Sequence, residues 1–240
     1  MAVPTFTRLT ALFPPGIDKH TFDFDLGNDS DHNLFVVENS SHDPNEDSLL
    51  SLYAVASLND GPVAGISKPA KSDIALLDRL DLKTAIIVYH PNTHKWHNYV
   101  MNNCKLMGHA SFLFCMTVKG RDEAFEWRAS KGSEIRAVHQ HRHAHGFKLV
   151  RMGHAGPSGG RGGKRSARQD GESRDGLEIV AVWATHDHHR EKKRPFTFQL
   201  YGSGAAGELG GEFPLLALMT ALKIYSIGDK FMNVPKPKKK

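Results

Sequence analysis

The sequence predicts a mainly β protein built of antiparallel sheet, and three observations lead there. Alternation of apolar and polar side chains recurs from end to end, in segments too closely spaced for crossover helices. Turn chemistry separates such segments, most clearly Asn59-Asp60-Gly61-Pro62 between LYAVAS and VAGIS, where glycine tolerates positive φ and proline fixes the exit. The pattern ends in a short helix that is apolar nearly all round.

The strands follow from period two. TFDFDL (21–26) alternates aromatic with acid, and AFEWRAS (124–130) sets Phe125 and Trp127 on one side against Glu126 and Arg128 on the other. FKLVRM (147–152), LEIVAVWAT (177–185) and PFTFQLY (195–201) read as further half-buried strands, the last with Phe196, Phe198 and Leu200 on one face. LFVV, LLSLYAVAS, TAIIVYH, NYVM and SFLFCMTV, with Cys115 as a buried residue, bring the set to roughly ten strands, enough for a barrel or a sandwich. The helix chooses between them. In GEFPLLALMTALKIYSIGDK (211–230), Pro214 suits the first turn and Gly228 the exit, which predicts a helix over Leu215–Ile227. Only Thr220, Lys223 and Ser226 are fully polar there. At 1.5 Å per residue the helix spans about 20 Å, too short for a bilayer core, so protein must surround it. The inside of a β-barrel does so.

One domain over residues 1–235 accommodates these elements. It carries a flexible insertion at 153–175, where seven glycines and almost no apolar side chain leave nothing to offset ordering entropy, and a disordered basic tail, KPKKK, at 236–240. Composition agrees: 240 residues, 40% hydrophobic and 24% charged, describe a globular chain. Two cysteines, Cys104 and Cys115, exclude a disulfide scaffold and a four-cysteine zinc site and point to a reducing compartment. The opening residues lack a signal-peptide pattern, Arg8, Pro14 and Pro15 interrupting the apolar run, so secretion is not expected. A cytoplasmic protein is expected, with a membrane surface or the nucleus as further locations. The charge is divided unevenly. Residues 1–60 hold two basic and ten acidic side chains, the rest 29 basic and 16 acidic, within a net charge of +5. The basic body can meet phosphate on a membrane or nucleic acid, or form an ordinary solvated surface.

The succession FEWR (125–128), FKLVRM, EIVAVWA (178–184), FTFQLYGSGAAGELG (196–210) and the helix LLALMTALKI resembles fungal members of the tubby C-terminal-like superfamily, which also holds the plant LURP-one-related proteins and the phospholipid scramblases. The likeness covers residues 50–228 and is best in the last hundred. It implies a closed antiparallel barrel of about twelve strands around a hydrophobic C-terminal helix, no catalytic signature, and, by analogy of fold, binding of phosphoinositide headgroups through basic side chains. A scramblase-like role fits less well, since no acidic calcium loop and no spanning segment follow the helix.

The chemistry-bearing motifs are few. Gly202-x-Gly204-x-x-Gly207 matches a dinucleotide fingerprint in letters only, because Gly210, Gly211 and Pro214 delay the helix and no second parallel strand follows. GGRGGKRS departs from a phosphate loop at Ser158 and Arg165. If HQHRHAH is extended, His139, His141, His143 and His145 share a face, but ligands about 7 Å apart on one strand cannot surround a single ion, so a polar loop is the expectation and no metal or other cofactor is called for. The clusters His90, His94, His97 and His186, His188, His189 read the same way. No serine or cysteine nucleophile motif occurs, and Asp23 and Asp25 fit a solvated strand face, so a non-enzymatic protein is expected. The lipid-binding candidates are Arg128, Lys148 and Arg151 as a basic patch, with ion-paired strand faces as the alternative, and the tail lysines Lys236, Lys238, Lys239 and Lys240 as an electrostatic anchor. A second class of function is an interaction module that binds a protein or RNA partner through the acidic N-terminal segment and the Gly/Arg loop. A barrel-rim enzyme is third.

Overall fold

The structure, a computed structural model, describes residues 4–12, 24–28, 33–38, 48–67, 83–90, 93–106, 109–140, 144–156, 171–185 and 196–232. Its strands are β1 (Arg8–Leu12), β2 (Phe24–Gly27), β3 (Asn33–Glu38), β4 (Ser48–Ala54), β5 (Ala64–Ser67), β6 (Lys83–His90), β7 (Lys95–Leu106), β8 (His109–Val118), β9 (Arg121–Ser130), β10 (His145–Ala155), β11 (Leu177–Thr185) and β12 (Thr197–Leu200). Each pairs antiparallel with the next, and β1 closes on β12 through Leu9 opposite Phe198. The result is a closed twelve-stranded up-and-down barrel.

The period-two alternation sets the inner face. Leu9, Leu26, Phe35, Leu52, Ile66, Ile86, Met101, Phe112, Phe125, Trp127, Leu149, Trp183 and Phe198 all belong to one buried cluster. The same phase turns Cys115 outward, between Phe114 and Met116, so it is exposed rather than buried. The strand expected over LLSLYAVAS is shorter, giving way to a 3₁₀ turn at Val55–Asp60 before Gly61 (φ +89°) and the return strand β5.

Helix α1 (Ser133–His139) lies between β9 and β10 and was not expected from the strand pattern. It packs outside the wall, where Ile135 and Val138 meet Ile179, Val182 and Ala184 of β11. That explains β11 itself: with its other face in the lumen, LEIVAVWAT is buried on both sides and reads as a nearly continuous apolar run rather than a half-exposed strand. Helix α2 is a single turn (Gly202–Ala205).

Helix α3 (Phe213–Met232) threads the barrel. It starts earlier than expected and continues through Gly228, since one helical glycine costs only about 1 kcal/mol against alanine. Every residue from Leu215 to Leu222 is fully buried. Its one polar residue there, Thr220, is matched: Trp127 Nε1 on β9 donates to Thr220 Oγ1 (2.9 Å), which donates to the Ala217 carbonyl (2.8 Å). The Phe213 ring lies 5.3 Å from Phe125, and Tyr225 lies 5.2 Å from Phe196 and 5.9 Å from Trp183. These contacts fix the direction of the helix, which enters at the mouth formed by the β6–β7 and β8–β9 hairpins and leaves at the opposite one. Among the described residues no helix is long and apolar enough to cross a membrane.

Two substitutions test the threaded helix. Leu218→Asp places an unpaired charge on the barrel axis and is expected to abolish the cooperative thermal transition. Thr220→Val strands the buried Trp127 N–H and should cost about 1–3 kcal/mol by denaturant titration without changing the fold.

Candidate functional site

The three basic candidates of the wall do not converge on one open patch. Arg128 and Lys148 face each other across the β9–β10 ladder, on the outer surface, while Arg151 takes the phase of Phe125 and sits at the entry mouth. Each is held by carboxylates. Arg128 donates to Glu126 (2.6 Å) and Asp175 (2.8 Å), and Lys148 to Glu134 of α1 (3.1 Å). Arg151 forks onto both oxygens of Glu123 (2.6 and 2.7 Å), donates to Ser203 Oγ (3.3 Å) and lies 3.6 Å from Glu178. Of the two sequence-based alternatives, the geometry realises the ion-paired one.

The electrostatics agree. Arg151's pKa is raised, first by the hydrogen bonds to Glu123 and against the opposing effect of burial. Burial disfavours the charge on Arg128, but the hydrogen bonds to Asp175 and Glu126 outweigh it and its pKa is also raised. The Arg151 hydrogen bond likewise draws Glu123 below the usual carboxylate range. Glu134 and Asp175 are lowered too, burial opposing in each case, through bonds from Ser130 and Lys148 and from Ser173 and Arg128 respectively. Asp25, by contrast with these carboxylates, is raised by burial, and accepts a bond from Asn33 (2.7 Å); Asp23 lies outside the described residues.

Asp175 corrects the expectation of a flexible 153–175 insertion. β10 runs to Ala155, Gly156 N–H bonds the Gly176 carbonyl (2.7 Å), and Glu172 and Ser173 are buried. Its ends therefore belong to the fold, while 157–170, with the Gly/Arg run, lie outside the described residues. The tail lysines Lys236, Lys238, Lys239 and Lys240 do as well.

The histidine run is not one extended face. His139 ends α1, Gln140 caps it with φ +51°, and His145 opens β10, buried; His141 and His143 lie outside the described residues, as do His186, His188 and His189. The β6–β7 hairpin does gather its histidines. Tyr89 Oη lies 2.7 Å from His94 Nδ1, and the His90 and His97 rings are 5.3 Å apart. His97 Nδ1 lies 2.7 Å from Glu212 Oε2 just before α3. Glu212 also binds Tyr99, whose pKa is raised by burial first and then by that carboxylate. Among the described residues no three His, Cys, Asp or Glu side chains are placed to hold a metal ion.

The glycine run serves packing. A Cβ at Gly204 would stand 2.5 Å from the Val180 carbonyl, and one at Gly202 would strike the Glu178 carboxylate. Glu178 in turn accepts the Ser203 N–H (2.8 Å), so a protein carboxylate occupies the place a nucleotide phosphate would take.

Sequence reasoning missed the acids, Glu123, Glu134, Asp175, Glu178 and Glu212, because each becomes informative only when the ladder brings a cation or helix end to it. It also missed α1, although Ile135 and Val138 at i, i+3, with Glu134 in the first turn, carry its signal. Compared with protein-family models, curated proteins and solved structures, the chain matches none.

Removing one partner of the nearly buried Arg151–Glu123 pair leaves an uncompensated charge. Arg151→Met is expected to cost about 2–4 kcal/mol at neutral pH. Glu123, lowered by Arg151, lends stability above its ordinary value of 4.5 and loses it as pH falls through its folded value. The deficit of the variant should therefore shrink between about pH 5 and pH 3 in denaturant titrations; a deficit independent of pH over that range would contradict this pairing.

Proposed function

We propose that this chain is a non-enzymatic barrel that associates peripherally with anionic phospholipid surfaces, phosphoinositides included. The reading rests on the resemblance to tubby-like barrels and on the basic body of the sequence. What carries it is the direction of α3, which runs the length of the lumen and ends, at Met232, at the exit mouth. The four lysines of KPKKK follow from there. Exposed Lys83, at the start of β6, and Lys131, just after β9, stand at the same mouth. A lysine near an acidic leaflet contributes about 1 kcal/mol, so the tail alone supports partitioning of about a thousandfold, and the wall cations add to it. Arg128, Lys148 and Arg151, being satisfied by carboxylates, serve the fold in this reading, and a headgroup would have to displace Glu126, Glu134 or Glu123 to reach them.

The test is co-sedimentation with liposomes of phosphatidylcholine alone and with added phosphatidylserine or phosphoinositide, at low and moderate salt. Binding should require the anionic lipid, weaken with salt, and fall at least tenfold when Lys236, Lys238, Lys239 and Lys240 are replaced by glutamine. Folded Lys148→Gln should bind as the parent does. Loss of binding with Lys148→Gln would return the site to the wall, and no binding in any lipid would favour the interaction-module reading.

A further inference from the structure

The barrel wall opens toward the entry mouth at two places, between β9 and β10 beyond Phe125 opposite Arg151, where Glu123 pairs with Arg151 across the gap, and between β7 and β8, where no such ion pair spans it among the described residues. Between β7 and β8 the ladder runs from Leu106 opposite His109 only as far as Met101 opposite Phe114. Both strands continue beyond it. β7 extends to Lys95 paired with β6 alone, and β8 extends to Val118 paired with β9 alone. Lys95–Val100 and Cys115–Val118 thus diverge toward the entry mouth, and each presents an edge whose alternate backbone N–H and C=O groups have no registered strand partner.

Two of the exposed large hydrophobic side chains lie on this seam. Among the described residues the exposed large hydrophobics are Val55 (37%), Leu58 (48%), Trp96 (46%) and Val100 (49%). Trp96 and Val100 lie on the outer face of the open stretch of β7, with exposed Cys115 across the seam. Val55 and Leu58 sit on the 3₁₀ turn, which packs on β3 and β4; Tyr89 of β6, whose N–H bonds the Val63 carbonyl (2.9 Å), meets the Trp96 ring at 5.4 Å. Edge strands in soluble proteins are commonly guarded by a central lysine, a proline or a bulge. The sequence Trp-His-Asn-Tyr-Val over 96–100 has none of these and is rich in strand-forming residues. Charge surrounds the open end instead. Lys95 stands at the tip of one hairpin and Lys119 and Arg121 at the tip of the other, all exposed, with Asp122, bonded by Thr117, and Asp60 as the nearby acids.

We infer that the seam is a docking site for an extended segment of a partner protein, which adds to β7 as a further strand. Main-chain hydrogen bonds supply the affinity; apolar side chains at every second position cover Trp96 and Val100, and acidic residues at the end near the entry mouth meet Lys95, Lys119 and Arg121. The inference does not depend on lipid binding.

The probe is a fluorescein-labelled peptide of alternating valine and threonine ending in three aspartates, with a control of the same length carrying proline at alternate positions, titrated into the full chain by anisotropy. The first peptide should bind saturably and the proline control should not. Hydrogen exchange should show, within 95–100 and 115–118, the alternate amides that do not bond β6 or β9 unprotected in the free chain and slowed by the peptide, with the amides bonded to β6 and β9 protected throughout. Val100→Lys, on an exposed face, should keep the parent's melting temperature and weaken binding about tenfold or more. Exchange of the β8-facing amides of 95–100 as slow in the free monomer as at 101–106, absence of peptide binding, or binding that Val100→Lys leaves unchanged would each overturn the proposal. So would a dimer in sedimentation that Val100→Lys dissociates, since a second copy would then own the edge.

Discussion

Burial of α3 in the lumen is the constraint on which the rest of this molecule depends. A barrel of eight strands is just filled by its own inward side chains, and a larger one leaves a hole. With twelve strands the space is of the order of a helix with its side chains, about 10–12 Å across. The helix and the strand number therefore answer each other. A helix apolar on every side needs a complete surround, and a twelve-stranded wall of Phe, Trp and Leu needs an apolar filling. Neither half is stable alone: the barrel without α3 exposes its largest side chains, and α3 without the barrel exposes seven large aliphatics. Because α3 comes last in the chain and touches β5, β6 and β12, its contacts span most of the sequence, a high-contact-order arrangement that slows folding.

Polar groups are placed with the same economy. Thr220 would be a defect in the lumen, yet it is the acceptor that lets Trp127 be there, so the most buried indole of β9 is fixed at one height along the helix. At the entry mouth the chain must turn sharply from β12 into α3. Glu178 accepts the first free amide of α2, Arg151 neutralises Glu123 and approaches Glu178, and Glu212 ties the start of α3 to His97 and Tyr99 of β7. The glycines of the turn let its backbone lie directly on β11. What resembles nucleotide or headgroup chemistry in one dimension is, in three, the means by which the helix is held at its entrance.

The sequence carries the architecture well because the two periodicities that define it are local. Alternation in AFEWRAS or SFLFCMTV is visible without knowing the neighbouring strand, and the all-round apolarity of 215–227 is visible without knowing what surrounds it. Where a second layer intervenes, the signal blurs: β11 loses its alternation because α1 covers the outside, and α1 is too short to announce itself against strand-like flanks. The charged residues were the least legible. Lys148 is fourteen positions from Glu134, Arg151 twenty-eight from Glu123 and Arg128 forty-seven from Asp175, beyond a glycine-rich stretch, so only the register of β9 on β10 and β11 decides whether a cation is a ligand site or half of an ion pair.

A closed meander should have no edge, since every strand has two neighbours in the topology. Here closure is complete in order but not along the full length of each strand. The twist that lets twelve strands surround a helix makes adjacent hairpins splay at a mouth wherever no short loop joins them there. β7 and β8 are joined at the exit mouth, by the turn between Leu106 and His109, and so are free to part at the entry mouth. Elsewhere at that end other groups meet: α2 lies on β11, the segment before α3 reaches β7 from inside through Glu212, and where the β9–β10 ladder ends at Phe125 opposite Arg151 the Glu123 carboxylate pairs with Arg151 and lies 3.5 Å from His154. On the outer side of β7 the solvent-facing residues there are Trp96, Asn98 and Val100 rather than lysine and glutamate. In a structure that ties Arg128, Lys148 and Arg151 to carboxylates and packs its lumen with apolar side chains, an apolar edge without a strand partner departs from the pattern, and such departures mark where a protein meets something else.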